Sequence, residues 1–272
     1  MADSQPTLLI VNDDGAASPM LPAMVEALAP LGRVRVVVPA EEQSWKGKSM
    51  TRFGALRATP LPDLGPDAYC INGTPSDCAN IGVHHLFDGP PDFIVSGINI
   101  GSNAGTAFIV NSGTVGAALE GALMGFPAVA FSSLFEPEDF AEWSRTQRLT
   151  SATAREVIIQ SAQRMAAMMA RVIAAQGAGN GAGIPAGHVM NVNFPCNIHP
   201  GSAVHWAPVK ANRYGALFGR DDSGNFRHGL HVHLEEGPAD GSDRDLLQEG
   251  HITVSLLAVD GWDATGAPPV TF

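Results

Sequence analysis

Short aliphatic runs recur through the first two thirds of the chain. They show little of the polar and apolar alternation of a half-exposed strand, so they predict strands buried on both faces of a parallel sheet. These runs cover residues 7–12, 33–39, 92–98, 127–133 and 188–194.

Predicted helices lie between and after these runs, over residues 19–30, a segment ending near Phe87, 114–125 and 150–175. Ser18-Pro19 begins the first in the usual N-cap and first-turn pattern, and Ser76 or Asp77 is the predicted N-cap of the second. The third is rich in small residues, which indicates close packing on a sheet. This alternation predicts an α/β fold with a mainly parallel sheet and helices on both faces.

The pattern changes after about residue 200. Residues 228–236 and 251–259 alternate polar and apolar side chains, and Gly- and Asp-rich turns separate them. Such alternation is typical of antiparallel ribbons. The sequence therefore predicts a catalytic core over residues 1–200 and a C-terminal β-rich extension over 201–272, which forms an antiparallel arm for oligomerisation.

Composition narrows the classes of function. Of the 272 residues 45% are hydrophobic and 16% charged, below the roughly 25% charged residues usual in globular proteins. The formal net charge is −11 and no Lys/Arg cluster stands out, so we expect no polymeric nucleic acid as a partner. No segment approaches the roughly 20 apolar residues of a membrane span. The three cysteines, an odd number without metal-ligand spacing, indicate reduced thiols and a cytoplasmic location.

Oxygen-bearing side chains follow three of the predicted strands. Asp13 and Asp14 come directly after the first strand, residues 41–51 follow the second, and the loop after Ser96 contains Asn99 and Asn103. The carboxyl ends of parallel strands meet at one edge, where ligands bind. Adjacent carboxylates repel each other unless a cation lies between them, and a hard divalent ion prefers such oxygen ligands. A turn with a helix cap is the alternative interpretation of Asp-Asp-Gly.

The third loop continues into Ser112-Gly113-Thr114 and the small-residue helix. Hydroxyl groups and free N–H groups at a helix N-terminus form an anion site, although simple helix capping is the alternative. The four tryptophans, Trp45 among them, are expected to be packing residues and not a base-stacking platform.

Several motifs together resemble one known family. LLIVNDDG, INGTPSDC, IVSGINIGSNAG, SGTVGAALEGALMGFPAVAFS and VMNVNFP occur in this order within the first two hundred residues. They are similar to the SurE family of survival proteins, which are 5'/3'-nucleotidases. The resemblance implies a Rossmann-like core, an exchanged C-terminal arm, a homodimer or homotetramer, and one divalent metal ion, Mg²⁺ or Mn²⁺.

The resemblance also implies roles for particular residues. The metal ligands of the family correspond to Asp13, Asp14, Ser44 and Asn99, and its phosphate-contacting positions correspond to Asn103, Ser112, Gly113 and Thr114. The serine loop departs from the family pattern at Gln43-Ser44-Trp45-Lys46, and Ser49 is the alternative ligand in that loop.

The predicted activity is metal-dependent hydrolysis of nucleoside monophosphates, with Asp13 and Asp14 as the catalytic residues. The sequence leaves open whether one of the two aspartates acts as a base or as a nucleophile. A phosphatase that forms a phosphoaspartyl intermediate is one rival. Such enzymes usually have one residue between their two acids, so the adjacent Asp13 and Asp14 argue against it. The other rival is a nucleotide-binding or interaction protein of the same fold without catalysis.

Overall fold

The computed structural model describes residues 5–179, 181–229 and 234–259. Its helices are α1 (Met20–Leu28), α2 (Pro75–His84), α3 (Thr106–Asn111), α4 (Gly113–Leu123), α5 (Pro137–Thr146), α6 (Ala152–Gly177) and α7 (Asp243–Gln248). Its strands are β1 (Thr7–Val11), β2 (Arg33–Pro39), β3 (Ala58–Pro60), β4 (Ala68–Ile71), β5 (Phe93–Ile100), β6 (Ala128–Ser133), β7 (His188–Phe194), β8 (Val204–Trp206), β9 (Asn212–Tyr214), β10 (Phe218–Arg220), β11 (Phe226–His228), β12 (Leu234–Glu236) and β13 (Ile252–Ala258).

Nine strands of the described residues form the central sheet, in the order β3-β4-β2-β1-β5-β6-β7-β13-β8. The pairs from β4 to β7 are parallel, and the flanking pairs of β3 with β4 and of β7 with β13 are antiparallel. Strand β1 pairs with β2 on one side and with β5 on the other, and the chain leaves β1 toward β2. The order of the strands therefore reverses beside β1, which is where ligands bind in open α/β sheets.

Helices cover both faces of this sheet. Leu8 and Ile10 of β1 join a core cluster that contains residues of α1 and α6, while Leu9 and Val11 join a second cluster that contains residues of α2 and α4. Successive side chains of a strand point to opposite faces, so a strand between two helical layers needs apolar residues at every position. The predicted α/β class with a mainly parallel sheet is confirmed.

Several local predictions need correction. Thr74, not Ser76 or Asp77, is the N-cap of α2; its hydroxyl accepts from Asp77 N at 3.2 Å and the Asp77 carboxylate accepts from Thr74 N at 2.8 Å. This reciprocal capping box fixes the helix start. The helix ends at His84, before Phe87.

The last described strand also differs from its prediction. Residues 251–259 were expected in a C-terminal ribbon, but β13 lies in the central sheet, antiparallel to β7 and parallel to β8. The polar side chains of its alternating pattern, Thr253 and Ser255, are buried, and the Ser255 hydroxyl donates to Ala207 O at 2.8 Å. Short antiparallel pairs do form farther out, β10 with β11 and β12 with β9. The division into a core and an oligomerisation arm stays a prediction, and residues 230–233 and 260–272 of it lie outside the described residues.

Within the described ranges, no helix combines the length and the apolar character that crossing a bilayer requires.

Candidate active site at the carboxyl edge of the sheet

A tight turn after β1 presents the two adjacent aspartates. Asn12 closes this turn on itself: its Oδ1 accepts from Gly15 N at 3.2 Å and its Nδ2 donates to Gly15 O at 3.0 Å. An asparagine side chain that bonds to the backbone of its own turn is a common way to fix such a loop. Asp13 and Asp14 are therefore held at the carboxyl end of β1.

The three predicted loops meet at this turn. Gln43 N donates to Asp13 O at 2.7 Å, and Ile100 N donates to Asp14 Oδ2 at 3.0 Å. The hydroxyl of Thr114 donates to Asp13 Oδ1. The loop after β2, the end of β5 and the start of α4 are therefore all joined directly to the aspartate pair, although they are far apart in sequence.

Both carboxylates are buried, with exposed fractions of 3% for Asp13 and 2% for Asp14. Burial raises the pKa of Asp13, and its hydrogen bonds from Thr114 act in the opposite direction. Burial and the neighbouring charge of Asp13 raise the pKa of Asp14 well above its ordinary range, and Glu42 adds to this effect. Two carboxylates in one low-dielectric site resist ionising together.

The two carboxylates can therefore be ionised together only beside a positive partner, which the described side chains do not provide. Among these residues, no Lys, Arg or His forms an ion pair with Asp13 or Asp14. In the same part of the chain, no group of three His, Cys, Asp or Glu side chains could hold a metal. Two carboxylates with nearby amide and hydroxyl oxygens fit a hard divalent cation.

The other two predicted metal ligands, Asn99 and Ser44, are chain neighbours of residues that contact the pair. Asn99 precedes Ile100, whose N–H donates to Asp14, and Asn99 Nδ2 donates to Gly101 O at 2.9 Å, so its amide oxygen would be the ligand atom. Ser44 follows Gln43, whose N–H donates to Asp13. Ser49 instead lies against the start of α2, where its carbonyl accepts from Thr74 Oγ1 at 2.7 Å. The choice between Ser44 and Ser49 as the serine ligand stays a prediction.

The N-terminus of α4 lies against Asp13. Ser112 is the N-cap, and its Oγ accepts from Val115 N at 3.0 Å. A Cβ on Gly113 would lie 2.8 Å from Asp13 Cβ, so only glycine allows the helix to begin this close to the carboxylate. The free N–H groups and the dipole of a helix N-terminus attract anions. A phosphoryl group could therefore bind between this terminus and the aspartates.

Thr114 has a different environment from the other predicted phosphate contacts. Its side chain is fully buried. Its hydroxyl donates to Asp13 and its carbonyl accepts from Ser96 Oγ at 2.7 Å. The hydroxyl therefore orients Asp13. Phosphate contact by Asn103, Ser112, Gly113 and Thr114 stays a prediction.

Asparagines on β7 hold the loop that carries Asn103. Asn193 Oδ1 accepts from Asn103 N at 2.7 Å, and Asn191 Nδ2 donates to Asn103 O at 2.9 Å. Asn103 Nδ2 in turn donates to Ser132 Oγ at 2.7 Å. This supporting role of Asn191 and Asn193 was not predicted from the sequence. Their spacing of two within an otherwise apolar strand is the signal that could have indicated it, because it places both side chains on one face.

The charge of Asp14 should weaken the metal-free fold. A carboxyl whose pKa is raised on folding binds its proton more tightly in the folded state. Its stabilising effect is therefore present below the ordinary pKa of 3.8 and is lost as the pH rises through the folded-state pKa. We expect Asp14→Asn to raise the Tm of metal-free protein at pH 7 by roughly 2–4 °C, which is about 1 kcal/mol for a chain of this size. Thermal unfolding in EDTA between pH 5 and pH 8 measures this.

Asp63→Asn, at an exposed acid away from the site, is the matched control and should leave the Tm within about 1 °C because surface substitutions have small effects. A lower Tm for Asp14→Asn than for the unmodified protein, in the absence of metal, would show that the Asp14 charge does not destabilise the metal-free protein.

Comparison with known proteins points to one family. The model for "Survival protein SurE" matches residues 8–216. The 5'-nucleotidase SurE of Methanocella arvoryzae is 40% identical over 200 residues, which cover 72% of this chain and 70% of that protein. The 5'-nucleotidase SurE of Methanoculleus marisnigri is 34% identical, covering 94% of this chain and 92% of the relative. The crystal structure of the SurE protein from Aquifex aeolicus superposes with a TM-score of 0.71 at 30% identity, covering 94% of each chain.

Proposed function

Since the chain belongs to the SurE family, we propose that it is a metal-dependent phosphomonoesterase that hydrolyses nucleoside 5'- or 3'-monophosphates to a nucleoside and phosphate. One observation carries the proposal: two buried, adjacent carboxylates without a cationic partner among the described side chains lie beside the N-terminus of α4. This arrangement supplies a place for a cation next to a place for a phosphoryl anion.

Asp13, Asp14, Ser44 and Asn99 would hold one divalent ion, Mg²⁺ or Mn²⁺. When bound, such an ion neutralises charge on a phosphoryl group and lowers the pKa of a coordinated water molecule. In this proposal one of the two aspartates acts either as the general base or as the nucleophile.

The phosphoryl oxygens would be bound by donors that the fold has already positioned. The Ser112 hydroxyl, whose oxygen accepts from Val115 N, can still donate its proton, and it lies at a helix terminus that Gly113 brings against Asp13. Asn103 lies in a loop fixed by β7 and Ser132. Donors held in place before the reaction stabilise developing charge without reorganisation.

The proposal extends to location and assembly. The described cysteines, Cys70, Cys78 and Cys196, are all free thiols, which supports a cytoplasmic enzyme. Large hydrophobic side chains are exposed on the C-terminal strands, with exposed fractions of 68% for Trp206, 60% for Phe218 and 71% for Phe226. Such surfaces commonly form subunit contacts, which supports a homodimer or homotetramer.

Turnover of nucleoside monophosphates with and without metal tests the activity. Purified protein treated with EDTA should release phosphate at a rate at least about 10²-fold below that of protein supplied with Mn²⁺ or Mg²⁺, because no described side chain gives the aspartate pair a positive partner. Zn²⁺ and Ca²⁺ at equal concentration serve as comparison ions. Nucleotide binding without phosphate release under every metal would favour the rival assignment, a nucleotide-binding protein of this fold without catalysis.

A further inference from the structure

Four aromatic rings meet directly beside the proposed phosphoryl site. The Trp45 ring centroid lies 6.2 Å from Phe108, 6.2 Å from Tyr214 and 4.7 Å from His228. These rings come from the loop after β2, from α3, and from β9 and β11. We call Trp45, Phe108, Tyr214 and His228 the aromatic cluster. Its members are well separated in sequence, so only the fold assembles it.

Short connections join the aromatic cluster to the catalytic residues. Trp45 directly follows the proposed ligand Ser44 and lies two residues from Gln43, whose N–H donates to Asp13 O. Two residues span about 7 Å at most. On the other side, Asn111, which precedes Ser112, donates from Nδ2 to Tyr214 Oη at 3.0 Å and accepts from Gly47 N at 2.9 Å. The cluster therefore adjoins both the proposed metal ligand and the proposed phosphate ligand.

The backbone of Trp45 adopts a strained conformation to place this ring. Trp45 has a φ of 63°, a left-handed conformation that side chains other than glycine rarely adopt. The ring is nevertheless only half-buried, and Tyr214 and His228 remain exposed. A purely structural tryptophan would gain most by full burial. The exposed parts of Trp45, Tyr214 and His228 leave planar surface available to a ligand.

We propose that the aromatic cluster, with Trp45 at its centre, binds the nucleobase of the substrate and makes Trp45 a specificity-determining residue. This proposal rests on the proposed function, since it assigns the second half of the same substrate. A nucleoside monophosphate carries a planar aromatic base a short distance from its phosphate, and base–aromatic stacking tolerates every base. The chain should therefore prefer nucleotides to phosphomonoesters whose alcohol is small and aliphatic.

Substrate selectivity tests the proposal. For Trp45→Ala, the ratio of kcat/KM for adenosine 5'-monophosphate to kcat/KM for glycerol phosphate should fall about tenfold, mainly through KM for the nucleotide. Trp45→Phe keeps a ring and should retain most of the ratio. Trp206→Ala removes an exposed tryptophan from the edge strand β8 and should leave the ratio unchanged. An unchanged ratio in Trp45→Ala, including an equal loss on both substrates, would overturn the proposal.

A binding measurement separates this proposal from the proposed function. Adenosine without phosphate should quench the tryptophan fluorescence of the full chain in EDTA, and Trp45→Phe should abolish that quenching. Because this readout needs neither metal nor turnover, it remains decisive if the protein hydrolyses no phosphomonoester. Quenching that is unchanged in Trp45→Phe, or absent from the unmodified protein, would overturn the assignment of the base site.

Discussion

Asp13→Asn should lower kcat for nucleoside monophosphates by about 10²–10³-fold while the protein keeps its fold. The substitution removes the negative charge that would hold the cation, and removing a single group that stabilises transition-state charge costs about 10²–10³-fold. The shape of the side chain is preserved. The Thr114 hydroxyl can still donate to the amide oxygen at the position of Asp13 Oδ1.

Steady-state kinetics in Mn²⁺ and circular dichroism of the same sample measure the two parts of this prediction. Glu41→Gln is the matched control: it neutralises an exposed acid on the neighbouring loop and should change kcat by less than about twofold. Turnover in Asp13→Asn within tenfold of the unmodified protein would remove Asp13 from the catalytic centre and leave the strand-end acids without their proposed role.

Gly97→Ala should lower the free energy of unfolding by about 4 kcal/mol or more, a size reserved for a few specific structural conflicts. Gly97 has a φ of 120°, and a Cβ there would lie 2.2 Å from the carbonyl oxygen of Phe131 on the neighbouring strand β6. The pairing of β5 with β6 shifts register between Ser96 and Asn99. The glycine therefore permits the irregularity just before Ile100, whose N–H donates to Asp14 Oδ2.

Denaturant unfolding and the yield of soluble protein measure this effect. Gly125→Ala is the matched control, because Gly125 has a φ of 90° and a Cβ added there would meet nothing within 4 Å. It should cost only about 1–2 kcal/mol, the penalty for a left-handed non-glycine residue. Equal losses in the two variants would show that backbone conformation, not the contact with β6, limits substitution at Gly97.

Much of the fold could be predicted from the local pattern of apolar residues. The strands at 7–11, 33–39 and 188–194 were predicted within a residue, because a strand buried on both faces needs an unbroken apolar run. The short helices α3 and α5 were missed. Each is brief, with six residues in α3 and ten in α5, and packing decides whether so short a segment becomes helical.

The candidate site could be predicted only in part from the local sequence. The position of Asp13 and Asp14 at a strand end and that of Ser112 before a helix follow from neighbouring residues. Thr114 and Asp13 are 101 residues apart in the sequence, and Asn193 and Asn103 are 90 residues apart. No local preference specifies such partners, since many polar side chains could satisfy the same buried group.

The amino-acid sequence by itself determined the family, the α/β class and the carboxylate pair, since these depend on motifs, on hydrophobic period and on the order of elements. Only the tertiary structure decided that β13 completes the central sheet, that Thr114 orients Asp13, and that Trp45 joins rings from three other segments. The physical reason is the range of the interactions. Helix and strand preferences act between residues a few positions apart, whereas the partners of a buried carboxylate or an aromatic ring are chosen by the packing of the whole chain.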